Sequence, residues 1–267
     1  MVIPPILDNK DVSEGAVFVP AAMIREARRQ KQIPSVDVPS VCLLDPDGDI
    51  VRRLRADGRA RRFEPWPCYH SELYTFHVGE QLVGVVGCAV GGPFAVLVAE
   101  QMFACGCRLL ISMTSAGQIL PTPGPPPYFV VIDRALRDEG TSYHYAASSE
   151  FLEADMLLVD AARTALGKLR LRAYVGASWT TDAPFRETAK AIEAARHKGI
   201  LAVEMEAASL YAFAKARGAA VLCLAHVTNT MGQVEGDFEK GEADGTAAAL
   251  KVLDAIIAPL VQLTAAP

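Results

Sequence analysis

Two glutamates stand where an apolar segment of the chain changes into an amphipathic one. Residues 202–211 read Ala-Val-Glu-Met-Glu-Ala-Ala-Ser-Leu-Tyr, with the acids at Glu204 and Glu206. We expect Glu206 to lie in the first turn of a helix, where free backbone N–H groups and the helix dipole favour an ionised carboxylate. Such a carboxylate can accept hydrogen bonds from paired hydroxyls, for example those of a ribose. Simple capping of the helix is the alternative role for both acids, because acidic residues are common in first turns.

Two other apolar segments end in small residues. Residues 84–93 close with Gly91-Gly92-Pro93, and residues 108–117 close with Thr114-Ser115-Ala116-Gly117. Both read as buried strands followed by a turn or loop. Glycines and hydroxyls at the carboxyl end of a strand let a ligand approach the backbone and receive hydrogen bonds. The two segments therefore favour a site for a phosphate or a sugar.

Together these segments resemble the purine nucleoside and uridine phosphorylase superfamily. The resemblance covers residues 17–257 and rests on four landmarks in order: the strand ending at residues 17–20 (Val-Phe-Val-Pro), the 91–93 turn, the 114–117 loop and the 204–206 segment. Residues 179–186 fall at the base-binding loop of the family, and residues 226–230 where a strand brings a polar residue to the base. The resemblance implies an α/β fold, with residues 1–267 forming a single domain around a central mixed, largely parallel sheet flanked by helices.

The alternation of apolar runs with helical stretches independently indicates a mixed α/β fold. Besides a helix over residues 25–31, the pattern predicts helices over residues 94–105, 186–198, 205–217 and 243–262, and Gly218 suits a C-cap. The charge-dense residues 52–62 are expected to form a solvated turn. Residues 121–127 contain five prolines and one glycine, so we expect an irregular loop there.

Composition favours one soluble, enzyme-sized unit. The chain has 267 residues, of which 51% are hydrophobic and 21% charged, enough to bury one core. Its net charge of −5 argues against a nucleic-acid partner. The six cysteines show no paired C-x-x-C spacing, so we expect buried thiols and no metal site. We also expect no signal peptide, no membrane span and a cytoplasmic location, because no apolar stretch approaches about 18 residues.

Cleavage of an N-glycosidic bond develops positive charge on the ribose, so an enzyme must hold the sugar, stabilise the departing base and position a nucleophile. The resemblance implies the following roles. Met205, Glu206 and Gly92 would bind ribose; Phe185, Arg186 and Asn229 would bind the base; Arg25, Ser115 and Thr114 would bind phosphate. The expected reaction is phosphorolysis to free base and ribose 1-phosphate, with inorganic phosphate as co-substrate and no cofactor. Glu206 and Asn229 are the expected catalytic residues, and Asn229 with Arg186 favours a pyrimidine.

Several phosphate ligands of the family are missing, which keeps a hydrolase open. Ala21 stands at the position of a phosphate-binding glycine, and Ser112 and Ser71 stand where the family has arginines. One guanidinium would leave much of the charge of a phosphate dianion unpaired. Residues 21–26 are similar to the segment of the superfamily's nucleosidases that ends in a catalytic glutamate, which puts Glu26 at the position of a base that activates water. Against this, Asn229 stands where those nucleosidases have an aspartate, and Glu26 also fits a solvated helix face.

A third class is a nucleoside-binding protein that kept the fold without the chemistry, since a fold alone does not establish function. The missing phosphate ligands favour this class, and the intact sugar and base residues oppose it. The resemblance also implies a homodimer or a hexamer, with His70 and Ser71 reaching the pocket of a neighbouring subunit.

Overall fold

The computed structural model describes residues 4–231, 235–238 and 240–264. Seven α-helices and ten strands occur within these residues. The helices are α1 Pro20–Lys31, α2 Asp49–Ala56, α3 Gly92–Ala104, α4 Met156–Leu166, α5 Ala189–His197, α6 Ala207–Arg217 and α7 Thr246–Thr264. The strands are β1 Val41–Asp45, β2 Arg61–Arg62, β3 Tyr74–Val78, β4 Gln81–Gly87, β5 Leu109–Gln118, β6 Tyr128–Asp138, β7 Phe151–Glu153, β8 Ala173–Thr181, β9 Ile200–Glu204 and β10 Ala220–Asn229.

All ten strands belong to one mixed sheet, part of which closes on itself. β5 pairs with β10, β10 with β6, β6 with β8, β8 with β9, and β9 again with β5. The sheet extends from β5 through β1, β4, β3 and β2. The long pairings of β5 with β10 and of β6 with β8 are parallel, whereas β10–β6 and the β2–β3–β4 edge are antiparallel. The sheet is therefore mixed, as the sequence predicts.

The closure of the sheet brings distant residues together at one end of β5. Register places Gly117 of β5 opposite Asn229 of β10 and also opposite Val203 of β9. The residues 114–117, expected in a loop, lie within β5, because β9 and β10 both continue to pair with that strand. A Cβ on Gly117 would lie 2.4 Å from Met231 Sδ and 3.2 Å from Val203 Cγ1, so a larger residue there would displace the Met231 side chain.

The expected first strand at residues 17–20 is wrong. Val17 and Phe18 are exposed, at 105% and 73% of their accessible surface, and Pro20 begins α1. Residues 17–19 form no strand, because the helix α1 begins at Pro20 directly after them. The structure has its first strand at Val41–Asp45, where every residue is buried. The sequence 45–48 (Asp-Pro-Asp-Gly) that follows is the turn after this strand.

The expected solvated turn at residues 52–62 is partly wrong, because α2 continues to Ala56. Ile50, Val51 and Leu54 are buried on one face of α2, while its arginines point to solvent. The loop at residues 121–127 and the αL conformation of Gly218, with φ of 62°, are confirmed. The predicted helix 186–198 begins only at Ala189, because the Thr188 side chain accepts a hydrogen bond from the Ala191 N–H at 3.3 Å and caps it.

One described helix is long and apolar enough, by length and composition alone, to cross a membrane. It is α7, with 19 residues and a mean hydropathy of 1.6. Val252, Ile256 and Leu260 are buried with four other residues of α7, whereas Lys251 and Asp254 are exposed. Buried residues at this helical spacing are typical of a helix that packs on the core of a folded domain.

Candidate active site

A cavity of about 310 Å³ lies at the end of the sheet where β5, β9 and β10 meet. Six of the residues singled out in the sequence line it: Thr114, Ser115, Phe185, Met205, Glu206 and Asn229. Further lining residues include Pro46, Asp47, Val90, Glu187, Glu204, Met231 and Phe238. The cavity thus combines a hydroxyl-bearing strand, several carboxyl groups and apolar side chains from parts of the chain that are distant in sequence.

Glu204 caps α6, as the alternative interpretation of the sequence held. Its Oε2 accepts hydrogen bonds from the N–H groups of Glu206 and Ala207, both at 2.7 Å. Its Oε1 accepts from the Ser178 and Thr180 hydroxyls at 2.9 and 2.5 Å. Burial raises the pKa of Glu204, and these four hydrogen bonds oppose that rise. Both carboxylate oxygens are therefore engaged, which makes Glu204 a structural support of the site.

Glu206 differs from Glu204 in having a free oxygen. It lies one residue before α6, 2% exposed, and its Oε1 accepts the Gly91 N–H at 2.7 Å. Within the described chain, Glu206 Oε2 has no hydrogen-bond partner. A buried polar atom of this kind calls for an explanation, and a ligand hydroxyl supplies one.

The protonation of Glu206 departs from the expectation of an ionised helix-terminal carboxylate. Burial, followed by the nearby charge of Glu204, raises the pKa of Glu206 to about 8, against the lowering effects of the Gly91 N–H and the Thr114 hydroxyl. The effect of burial on the pKa of Glu206 is therefore larger than the effect of the helix terminus. The group is poised to lose its proton when donor groups or a positive charge come close to it.

Gly92 does not line the cavity, but it follows Gly91, whose N–H donates to Glu206. A Cβ on Gly92 would lie 2.1 Å from Ser209 Oγ, so glycine is needed where α3 crosses α6. The Ser209 hydroxyl donates to Glu139 Oε2 at 2.5 Å, which fixes the serine in this position. This close contact holds the preceding Gly91 N–H against Glu206. Gly92 thus has a packing role in this structure, and its assignment to ribose stays a prediction.

Asp47, which has no role in the site predicted from the sequence, binds both donors of Ser115. Asp47 Oδ2 accepts the Ser115 N–H and Oδ1 accepts the Ser115 hydroxyl, both at 2.7 Å. Asp47 lies in the turn after β1, the true first strand. The apolar run 41–44 followed by Asp-Pro-Asp-Gly is a strand-and-turn signal that could have found it. The two donors on which a phosphate was expected are thus bound to a carboxylate.

The opposite part of the cavity has a different character. Asn229 ends β10, where its Nδ2 donates weakly to the Ala116 carbonyl at 3.4 Å and its Oδ1 accepts the Met231 N–H at 2.9 Å. Phe185, in a short 3₁₀ turn at Pro184–Arg186, is 99% exposed. Glu187 follows this turn, and burial raises its pKa to about 7. An apolar ring beside an amide and a carboxyl group is suited to a flat polar ring.

Besides Gly92, three of the predicted site residues lie outside the cavity. Arg186 is exposed and does not line it, although its neighbour Phe185 does. Arg25 and Glu26 lie on the outer face of α1, where Arg25 Nε and Glu26 form an ion pair at 3.2 Å and Glu26 also pairs with Arg29 at 2.8 Å. These residues were placed from the supposed strand at residues 17–20, so the error in that strand carried over to them.

Carboxyl groups line the cavity without a compensating cation among its described lining residues. Asp47, Glu187, Glu204 and Glu206 line it, and its described lining includes no arginine or lysine. Lys240 lies behind Asp47, with its Nζ 2.5 Å from Asp49 Oδ2 and 3.7 Å from Asp47 Oδ1. This lysine belongs to a smaller neighbouring pocket that also contains Asp45 and His226.

The comparisons with known proteins agree with the fold. A family profile described as "Phosphorylase superfamily" matches residues 40–258, a range that begins at β1 and excludes Arg25 and Glu26. A uridine phosphorylase of Thermococcus kodakarensis is 26% identical, with 77% of this chain and 83% of the relative covered. The solved uridine phosphorylase of Vibrio fischeri ES114 superposes with a TM-score of 0.70 at 20% identity, covering 84% of this chain and 95% of the other. The purine nucleoside phosphorylase of Toxoplasma gondii, solved with immucillin-H, gives a TM-score of 0.73 at 17% identity, covering 88% and 95%. The chain belongs to the phosphorylase superfamily.

Proposed function

We propose that this protein cleaves the N-glycosidic bond of a nucleoside. The observation that carries the proposal is the free, buried Glu206 Oε2 at a cavity that also contains Met205 and Asn229. The family relationship and the similarity to uridine and purine nucleoside phosphorylases support the same activity.

In the proposed complex, the ribose lies against Glu206 and Met205. Glu206 accepts hydrogen bonds from the ribose hydroxyls through Oε2, while the Gly91 N–H holds Oε1. As the C–N bond breaks, positive charge develops on the sugar and the ionised carboxylate stabilises it. A carboxyl group that is desolvated beforehand gains more from this charge than one in water, because the surrounding dielectric is low.

The base lies between Phe185 and Asn229. The Phe185 ring offers a stacking surface, and the Asn229 amide, which both donates and accepts, reads the edge of the base. Asn229 stabilises the departing base anion by a hydrogen bond, since an amide has no proton to transfer. We propose a pyrimidine nucleoside as substrate, and the uridine phosphorylase relative supports this choice.

Phosphorolysis is the reaction proposed first, because it is the reaction for which the relatives are named. Phosphate would use Thr114 and Ser115, with the charge of Lys240 nearby. It must displace Asp47 from the Ser115 N–H and hydroxyl or bind with Asp47 protonated, since two anions cannot share these donors.

Hydrolysis is the second candidate, and the Asp47–Ser115 contact favours it. A carboxylate at this position can accept a proton from a water molecule as the water oxygen attacks the anomeric carbon, and the bonding electrons leave with the base. Asp47 thereby takes the part first assigned to Glu26.

One experiment separates these reactions. The protein is incubated with uridine, cytidine, thymidine, inosine and adenosine, with and without phosphate, and free base, ribose and ribose 1-phosphate are measured. Phosphate-dependent formation of ribose 1-phosphate supports phosphorolysis. Free ribose without phosphate, lost in Asp47→Asn, supports hydrolysis. Nucleoside binding without turnover in either condition would refute cleavage and leave a binding protein.

We further propose that the chain assembles as a homodimer or a hexamer. An apolar surface supports this proposal: Phe18 and Leu97 are exposed at 73% and 39% beside a cavity of about 590 Å³ that also contains Met23 and Val96. A second copy would bury this surface. Light scattering at micromolar protein tests it, and a monomer alone would refute it.

A further inference from the structure

A second cavity borders the turn that carries Asp47. Gly48, the next residue, and Cys88, the residue after β4, are part of its lining, and its volume is about 470 Å³. The basic side chains around it come from α1, α2, β2 and the segment between β2 and β3. They are Lys31, Arg52, Arg55, Arg62 and His70, and we call this cavity the basic cavity.

The basic cavity has a surplus of positive charge. Glu72 is the single carboxylate within its described lining. Arg62 has the exposed partners Glu64 and Glu72, at 3.5 and 3.3 Å. Arg55 forms no ion pair within the described residues, and its guanidinium lies 4.9 Å from the centre of the Tyr74 ring. Exposed pairs such as those of Arg62 contribute little to stability, so an anion of higher charge can replace them.

The inner wall of the basic cavity is closely packed. Gly48 has a φ of 76°, and a Cβ there would lie 2.6 Å from Cys88 Sγ and 2.8 Å from Arg52 Nη1. Cys88 itself has a φ of 61°, a left-handed conformation that is uncommon for a side-chain-bearing residue. Gly48 therefore allows the Arg52 side chain and the Cys88 thiol to meet over the turn. Arg52 is fixed further by its ion pair with Asp49.

The guanidinium groups define the chemistry of the ligand. Arginine presents parallel N–H donors that match the oxygens of a phosphoryl group, and several such groups at one cavity favour a dianion over a singly charged carboxylate. The described lining of the nucleoside cavity has carboxyl groups and no arginine or lysine, so a phosphoryl group gains more from the basic cavity than from the site of Glu206. We propose that the basic cavity binds a phosphoryl group, as inorganic phosphate or as a phosphate monoester.

Isothermal titration calorimetry tests this proposal at low salt and without nucleoside. The two probes are inorganic phosphate and glycerol 2-phosphate, and the variant is Arg55→Met/Arg62→Met, which removes both guanidinium groups and keeps an unbranched apolar stem at each position. We expect one-site binding that weakens at least about tenfold in this variant, because hydrogen bonds to charged groups are lost. Arg55→Lys/Arg62→Lys should keep part of the affinity. The control Arg163→Met removes an exposed arginine of α4 that pairs with Asp160, and it should bind like the wild type.

A further variant shows which cavity binds the probe. Ser115→Ala removes a phosphate contact proposed for the nucleoside cavity, and the binding that Arg55→Met/Arg62→Met loses should persist in this variant. Preference for one probe over the other supports the proposal and identifies free phosphate or a monoester as the ligand. Equal affinity in the wild type and Arg55→Met/Arg62→Met, loss of binding in Ser115→Ala instead, or no binding at millimolar phosphate would overturn it. Nucleoside cleavage is assayed separately on the same variants, so failure of this proposal is distinct from failure of the proposed function.

Discussion

Asp47 accepts two hydrogen bonds from Ser115, one from its amide and one from its hydroxyl, each at 2.7 Å. This pair links the turn after β1 to the middle of β5 and places a carboxylate at the donors that a phosphate would use. The choice between phosphate and water as nucleophile therefore depends on one side chain.

Asp47→Asn should lower the KM for phosphate by about tenfold. The substitution removes a charge that repels phosphate by about 1 to 4 kcal/mol at contact distance, depending on the local dielectric. The amide oxygen still accepts one hydrogen bond from Ser115, so the fold is kept. Initial rates at varied phosphate measure the effect. A higher KM for phosphate in Asp47→Asn would show that Asp47 does not oppose phosphate binding.

Glu26→Gln and Arg25→Gln should leave nucleoside cleavage within about twofold of the wild type. Both residues lie on the solvent face of α1, in ion pairs with exposed partners, and such pairs contribute little. The assay is kcat/KM with the best nucleoside, and Glu206→Gln serves as the matched change at the cavity. A large loss of kcat/KM in Glu26→Gln would show that α1 contributes to the active site.

The sequence predicts the position of the acidic segment at residues 204–206 more accurately than the position of the first strand. Glu204, Met205 and Glu206 are close in sequence, and a strand-to-helix junction is a local feature. The supposed strand at Val17 and Phe18 shows no local sign of being exposed. The strand Val41–Asp45 is equally short and apolar, and what distinguishes the two is burial between β4 and β5, which only the folded sheet determines.

The protonation of Glu206 also lies beyond sequence. Its position beside a helix terminus predicts an ionised carboxylate, but burial raises its pKa to about 8. The Asp47–Ser115 pair depends likewise on tertiary structure, because the two residues are 68 positions apart. Electrostatic properties that depend on contacts between residues distant in sequence cannot be predicted from local sequence patterns.

Gly92→Ala should destabilise the protein by about 1 to 3 kcal/mol, because the new methyl group would overlap the Ser209 side chain in a packed core. It should also reduce cleavage, since Gly91 would move away from Glu206. Chemical denaturation and kcat/KM measure both effects. Ser209→Gly in the Gly92→Ala background should restore part of the stability. Unchanged stability of Gly92→Ala would contradict the packing role.

The free energy of unfolding should fall as pH rises from about 4.5 to 8. Glu206 has a folded-state pKa of about 8, above the ordinary 4.5, so the folded state binds more protons in this range and loses stability as they dissociate. Asp45 and Glu187, each with a pKa of about 7, act in the same direction. Glu206→Gln should show a shallower fall in urea titrations at several pH values. Identical slopes in the two proteins would mean that Glu206 is ionised throughout.

The most direct measurement compares kcat/KM for release of the free base from a nucleoside by the wild type and by Glu206→Ala. The account predicts measurable cleavage by the wild type and a loss of about 10²- to 10³-fold in the variant, because a carboxylate directed at the developing sugar cation contributes about 2.7 to 4 kcal/mol, as single preorganised groups do elsewhere. Equal rates in the two proteins, or no cleavage of any nucleoside by the wild type, would contradict it.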